Sequence, residues 1–237
     1  MSKKIQNTGG TTAPNVNHII GSLSHELRTP VAIISSNLQL LKSTNFDLDE
    51  DLRSETFSLC EEAVASVSSF LDDIQLLNSA NKGELKKNPA LFHVEDFIGQ
   101  ILNQPNTIFY QSDRIIVNIT SGNPFFCTDE KLLNRIITGL IDNAFRFSLK
   151  KVTVSVLNND DCLEFEISDE GHGIPADELE LIYEPFYRCG NVKMISGNGL
   201  GLSIAEKVTA CLKGNISINS VVSKGTEVRL IIPADNC

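Results

Sequence analysis

Two long stretches near the start of the chain repeat their apolar residues at the period of an α-helix, and this repetition limits the fold more than any other feature. Between 15 and 43, Ile20, Leu23, Leu27, Ile34, Leu38 and Leu41 fall within a sector of roughly 60° at about 100° per residue. Between 49 and 80, Cys60, Ala63, Val67, Phe70, Ile74 and Leu77 alternate spacings of three and four, the pattern of a coiled-coil-like seam. With 43–48 as the turn, the pattern predicts an antiparallel helical hairpin. Pro30 removes a helical hydrogen bond inside the first stretch and predicts a kink there. Two helices bury too little against each other to make a core, so a homodimeric four-helix bundle is the expected solution. A hairpin folded back on the following domain is the alternative.

The face opposite the first stripe carries a different kind of chemistry. His25 lies nearly opposite the apolar sector, Thr29 follows one turn later on the same side, and Glu26 is the sequence neighbour of the histidine. A carboxylate beside an imidazole can accept the proton of one ring nitrogen and leave the other as a nucleophile. Taken alone, an exposed histidine is an ordinary surface residue; the rest of the chain decides.

The net charge of −10 and the lack of any Lys or Arg cluster argue against nucleic acid as a partner. No apolar run approaches the roughly 18 residues that cross a bilayer, and the start of the chain lacks a signal-peptide core, so no membrane contact is expected of this segment. The six cysteines, at 60, 127, 162, 189, 211 and 237, show no CxxC spacing and are expected to be reduced thiols in a cytoplasmic protein.

Residues 1–14 have turn-forming composition and read as a flexible lead-in, with 15–82 as the helical domain and 90–237 as a second domain. The polar stretch 78–89 between them reads as a hinge. Beyond it, the patterns predict helices at 94–104, 129–146 and 200–212, and strands at 106–111, 114–119, 151–157, 162–168, 215–221 and 226–232. Alternation such as Val152-Val154-Val156 implies a sheet with one face under helices, an α+β sandwich.

Three clusters in this second domain carry candidate binding chemistry. Asn143, late in a helix within Leu140-Ile141-Asp142-Asn143-Ala144-Phe145-Arg146-Phe147, offers a carbonyl suited to a hard cation. Asp169-Glu170-Gly171-His172-Gly173 follows a strand, where glycines allow close approach of a ligand and the aspartate can accept from an amino group. Gly197-Asn198-Gly199-Leu200-Gly201 precedes a helix whose first amides favour phosphate. Between the last two clusters, Tyr183-Glu184-Pro185-Phe186-Tyr187-Arg188 opens a polar stretch with the composition of a lid.

In this order the motifs resemble those of sensor histidine kinases, from about 15 to 234, with Ser24-His25-Glu26-Leu27-Arg28-Thr29-Pro30 as the phosphoacceptor box. The ATP-binding domain of that family, of Bergerat type, is shared with Hsp90-type chaperones, type II topoisomerases and MutL-type repair proteins. The resemblance implies ATP and Mg2+ as cofactors, with the metal on Asn143 and the adenine amino group on Asp169. It also implies pocket-shaping roles for Gly171 and Gly173, a lid anchor at Phe186 and a place beside the adenine for Thr226. Gly197, Gly199 and Gly201 would pass the phosphates, and Arg146 stands where the family often has lysine. A second departure is Gly139, which occupies the place of the family's first asparagine.

The same resemblance implies autophosphorylation of His25, within a chain or across the dimer, and transfer of the phosphoryl group to an aspartate of a separate response regulator. By the same likeness, Thr29 would position water for dephosphorylating that regulator. A non-catalytic nucleotide-binding scaffold is the main alternative, favoured by Gly139. Hydrolysis to water is the weakest, since Gly139 also stands where hydrolysing relatives carry a glutamate. With neither sensor domain nor membrane segment, the chain reads as the catalytic part of a longer sensor.

Overall fold

The computed structural model describes residues 16–42, 49–104, 107, 109, 112–195 and 197–237. The expected lead-in and the turn at 43–48 lie outside the described residues. Two compact units are present, residues up to Val67 and Ser68–Cys237, and the division falls within a helix.

The first unit holds α1 (Val16–Lys42) and the first turns of α2 (Glu50–Asn81). Helix α1 runs unbroken through Pro30, the one buried side chain among its described positions 20–42. On α2 the seam is visible as alternation: Ala63, Phe70 and Leu77 are buried while Cys60, Val67 and Ile74 are half-buried. Other apolar positions stay open to solvent, among them Ile20 and Leu38 on α1 and Leu52, Phe57, Leu59 and Val64 on α2. No described helix is long and apolar enough to cross a membrane.

In the second unit a five-stranded sheet has the order β2-β4-β5-β7-β6, built from β2 (Ile115–Ser121), β4 (Val152–Asn158), β5 (Cys162–Asp169), β6 (Asn215–Val221) and β7 (Gly225–Pro233). Only β2 and β4 pair in parallel; the rest are antiparallel. Alternation sends Val152, Val154 and Val156 of β4 and Leu163, Phe165 and Ile167 of β5 into the core. Against that face lie α4 (Glu130–Phe147) and α5 (Gly201–Cys211), with α3 (Val94–Leu102) beside α4 and β1 (Ala90–His93), each helix with buried apolar positions at helical spacing such as Leu133, Ile137, Leu140 and Ile141 of α4. Asp129 caps α4 by accepting from Leu132 N at 3.0 Å. The opposite face is polar: Arg229 on β7 donates to Glu164 on β5 at 2.5 and 3.0 Å. This is the expected sandwich of sheet and helices.

Three local expectations are corrected. A two-stranded ribbon of β1 (Ala90–His93) and β3 (Phe125–Thr128) was not legible in the pattern. The strand expected at 106–111 does not form at the described positions: Thr107 and Phe109 lie in a bend and a turn, and Phe109 is buried with its ring 5.9 Å from that of Phe145. Not every cysteine is a free thiol, since Cys127 on β3 is disulfide-bonded to Cys237. In addition α2 continues to Asn81, which leaves only 82–89 to connect it to β1.

Candidate functional site

On α1, His25 stands in solvent because the apolar stripe occupies the other side of the helix. Its side chain is 76% exposed, and Nδ1 lies 3.4 Å from Glu26 Oε1. A carboxylate at that nitrogen favours the tautomer with the proton on Nδ1 and leaves the Nε2 lone pair as the nucleophile. Thr29, one turn on, is exposed as well.

In the second unit, the expected binding residues form neighbouring groups. Asn143 and Arg146 occupy the end of α4. A Cβ built on Gly201, the first residue of α5, would lie 3.3 Å from Asn143 Nδ2, and one on Gly197 would lie 3.7 Å from Arg146 Cδ. Leu200 is the N-cap of α5 and offers no side-chain hydrogen bond, which leaves amide donors for an anion. Among the described residues no three His, Cys, Asp or Glu side chains gather as a metal cage. A hard cation here would therefore rest on Asn143 Oδ1 and on oxygens of a bound phosphate, as Mg2+ commonly does.

Asp169 closes β5 and is register partner of Thr226 on β7. Its Oδ1 accepts from Gly171 N at 2.7 Å. Burial raises the Asp169 carboxyl above its ordinary value, while the Gly171 and Thr226 amides and nearby His172 pull it down by less. Gly171 is forced by close approach: a side chain there would run into the Phe147 carbonyl and the Asp169 carboxylate. The loop is pinned to the end of α4 because His172 donates to Phe147 O through both N, at 3.1 Å, and Nδ1, at 2.7 Å. Gly173 abuts the Val221 carbonyl. A shallow depression of about 170 Å3, open to solvent, lies beside this strand end, lined by Ser168, Asp169, Ser220, Lys224 and Thr226.

The stretch expected to form a lid is tied down at its start. Phe186 is buried and held in the left-handed region at φ 66°, a conformation that a bulky residue adopts only when its surroundings impose it. Its amide donates to Gly199 O at 2.9 Å, and Gly199 itself has φ 69° with Phe186 and Tyr187 backbone against it, so only glycine fits. Glu178 accepts from Tyr187 OH at 2.6 Å and from Gly190 N at 3.1 Å. That hydroxyl holds the Glu178 carboxyl below its usual range and is itself pushed up to about 12. Burial, with Glu178 nearby, pushes the Cys189 thiol up to about 11. Arg188 donates to the carbonyls of Val192, Lys193 and Ile195, and Asn191 to that of Gly173 at 2.9 Å.

Asn143, Arg146, Gly197 and Gly201 thus form one group; Asp169, Gly171 and Thr226 form a second, with Gly173 beside it; Phe186 and Gly199 join the lid to the start of α5. His25, Glu26 and Thr29 belong to the first unit. Sequence reasoning did not single out Ser220, whose Oγ is 2.8 Å from Thr226 Oγ1 and accepts from Ile174 N at 2.9 Å, nor Glu178 or Asn191. Ser220 becomes visible only once the β6–β7 register sets it opposite Thr226.

A helix that offers a histidine to solvent, followed by a glycine-looped α/β sandwich, defines a phosphoacceptor unit coupled to a nucleotide-binding domain. Residues 16–83 match the family described as His Kinase A (phospho-acceptor) domain, and residues 128–236 match the histidine kinase-, DNA gyrase B- and HSP90-like ATPases. The chain is 29% identical over 215 residues to the signal transduction histidine-protein kinase ArlS of Staphylococcus aureus (strain USA300), covering 88% of this chain and 47% of that one. Among solved structures, the Acinetobacter baumannii histidine kinase AdeS superposes with a TM-score of 0.64 at 25% identity, over 90% of this chain and 98% of that chain. Full-length ShkA in complex with AMPPNP gives 0.63 at 23% identity over 93% and 46%, which bears on the fold alone. The chain belongs to the sensor histidine kinases and spans about half the length of the curated relatives it matches.

Proposed function

We propose that this chain phosphorylates its own His25 from ATP and passes the phosphoryl group to an aspartate of a response regulator. The observation that carries the reading is the exposed His25 ring with Nδ1 beside Glu26 Oε1. Nε2 attacks the γ-phosphorus, the bond to the β,γ-bridging oxygen breaks and ADP leaves. The proton stays on Nδ1, where Glu26 offsets the positive charge that develops on the ring. In the second unit, Asp169 accepts from the adenine amino group, the start of α5 offers its amides to phosphate oxygens, and Arg146 adds positive charge beside the glycine loop. Mg2+ on Asn143 would neutralise developing phosphate charge. Phe186 and the Glu178–Tyr187 bond hold the lid that excludes water.

Homodimerisation is supported by apolar side chains left in solvent, Leu52 and Leu59 on α2 and the stripe residues Ile20 and Leu38 on α1, each more than two-fifths exposed. Thr29 would orient water against the regulator's acyl phosphate, a phosphatase activity that shares the His25 face. The expected location is the cytoplasm, where ATP and the regulator are.

Incubation with γ-labelled ATP and Mg2+ tests the reading. It expects label that is lost in acid, kept in base and absent from His25→Gln. One observation favours a nucleotide-binding scaffold: at Gly139 the family's side chain is missing, and Arg135 Nη1 lies 3.1 Å from where a Cβ would be. Nucleotide binding without any label would establish that second reading.

A further inference from the structure

The segment 234–237, which follows β7, is folded back on β3. Asp235 N donates to Cys127 O at 2.8 Å, Thr128 Oγ1 donates to Asp235 Oδ2 at 3.2 Å, and Cys237 is disulfide-bonded to Cys127. The other carboxylate oxygen of Asp235 accepts from Lys87 Nζ at 2.5 Å, and both side chains of that pair are less than a fifth exposed. Lys87 belongs to the connection that leaves α2. The adjacent amide, Asn88 N, donates to Asp129 Oδ2 at 2.8 Å, and Leu85 O accepts from Cys211 Sγ at 3.5 Å. The residues that join α2 to β1 are therefore held by a strap whose far end is a disulfide.

We propose that Cys127 and Cys237 are a reactive thiol–disulfide site for low-molecular-weight disulfides and thiols. When oxidised, the site locks Asp235 onto Lys87 and fastens the connection out of α2. Cys237 is exposed whereas Cys127 is 6% exposed, so exchange begins at Cys237. Its thiolate attacks a small disulfide RSSR and releases RS−. The Cys127 thiolate then displaces the second RS− from the mixed disulfide. Two protein thiols and RSSR become one protein disulfide and two RSH, with two electrons passing from the cysteine pair to the small disulfide. Excess RSH reverses the sequence, with Cys127 leaving as thiolate and taking up a proton. Release of the tail removes the tether that keeps Asp235 at Lys87, and the connection loosens.

The consequence for phosphoryl transfer rests on the function proposed above, because only a chain that phosphorylates His25 gives a phosphohistidine readout for fastening this connection. The test equilibrates the whole protein in glutathione and glutathione disulfide mixtures. Alkylation with peptide mass analysis, hydrogen exchange at the Asn88 amide and autophosphorylation are then measured on the same samples. The expected result is a Cys127–Cys237 crosslink within one chain that closes and opens with the buffer. Asn88 exchange should be about tenfold slower, and autophosphorylation slower, in the oxidised form. Cys237→Ser should behave as the reduced protein in every buffer. Asp235→Asn should form the disulfide yet show the faster exchange. Equal Asn88 exchange in oxidised and reduced protein, or a crosslink between chains, overturns the inference. A redox-dependent Asn88 exchange with no phosphohistidine in any buffer upholds the site and refutes the kinase reading instead.

Discussion

Arg135 on α4 reaches Asp73 on α2, and the two side chains are unequally buried: Asp73 is 8% exposed and Arg135 33%. Arg135 Nε donates to Asp73 Oδ1 at 2.9 Å, and Nη2 donates to the same oxygen. The inequality decides the cost of breaking the pair. Arg135→Ala strands a carboxylate out of water without its partner, a loss of about 3 kcal/mol. Asp73→Ala leaves a guanidinium that water reaches, a loss of about 1 kcal/mol. At about 2–4 °C per kcal/mol for a unit of this size, Arg135→Ala should lower Tm by about 6–12 °C and Asp73→Ala by about 2–4 °C. The double variant should fall close to Asp73→Ala, because the stranded carboxylate is gone, giving a coupling of about 3 kcal/mol. Tyr183 and Tyr187 lie in this unit, so thermal unfolding followed by near-UV circular dichroism reports on it. If Arg135→Ala proves no worse than Asp73→Ala, burial of the carboxylate does not set the cost and the reasoning is refuted.

Asp169 is raised by burial, so affinity for a fluorescent ATP analogue should fall as pH drops through that raised value and the carboxylate is neutralised; Asp169→Asn should flatten the profile. For stability the sign is opposite: the folded chain holds this proton more tightly than the unfolded one. The contribution is full below the unfolded value near 3.8 and is lost as pH rises through the folded value, as a pH series of denaturant midpoints would read. Cys189, pushed up from 9.0 to about 11, should carry about a hundredfold less thiolate than an ordinary cysteine and label correspondingly more slowly with iodoacetamide in the folded chain than in denaturant. Equal labelling would mean that the lid does not stay closed over it. Gly171→Ala should cost about 2 kcal/mol and weaken analogue binding by at least about tenfold, since its methyl overlaps Phe147 O. Unchanged binding, measured by titration, would place that loop away from the nucleotide.

What was legible in the chain was whatever depends on neighbours in sequence. The three-and-four spacing along α2 foretells which of its residues are buried, and the alternation of β4 and β5 foretells their inward face, because burial follows directly from helical and strand periods. The exposed His25 follows from the same arithmetic, as its helix turns an apolar side elsewhere. The ribbon of β1 and β3 was not legible, for neither four-residue strand alternates and each exists only by pairing Leu91 with Cys127 and Phe92 with Phe126. In the candidate site, the glycine runs mark where backbone must come close, but not what it comes close to. That Gly171 faces the Phe147 carbonyl, Gly199 the backbone of Phe186, and Gly201 the Asn143 amide depends on α4, the lid and α5 converging. The Asp73–Arg135 pair spans 62 positions and the Cys127–Cys237 disulfide 110, and neither leaves a local trace. Each nevertheless joins the ATP-binding fold to a part of the chain outside its sheet: one grips α2, the other holds the strap on the connection that follows it. Contacts of long range and little local signature thus set how the nucleotide domain is tethered, whereas the residues of the chemistry stand in short motifs that the chain displays openly.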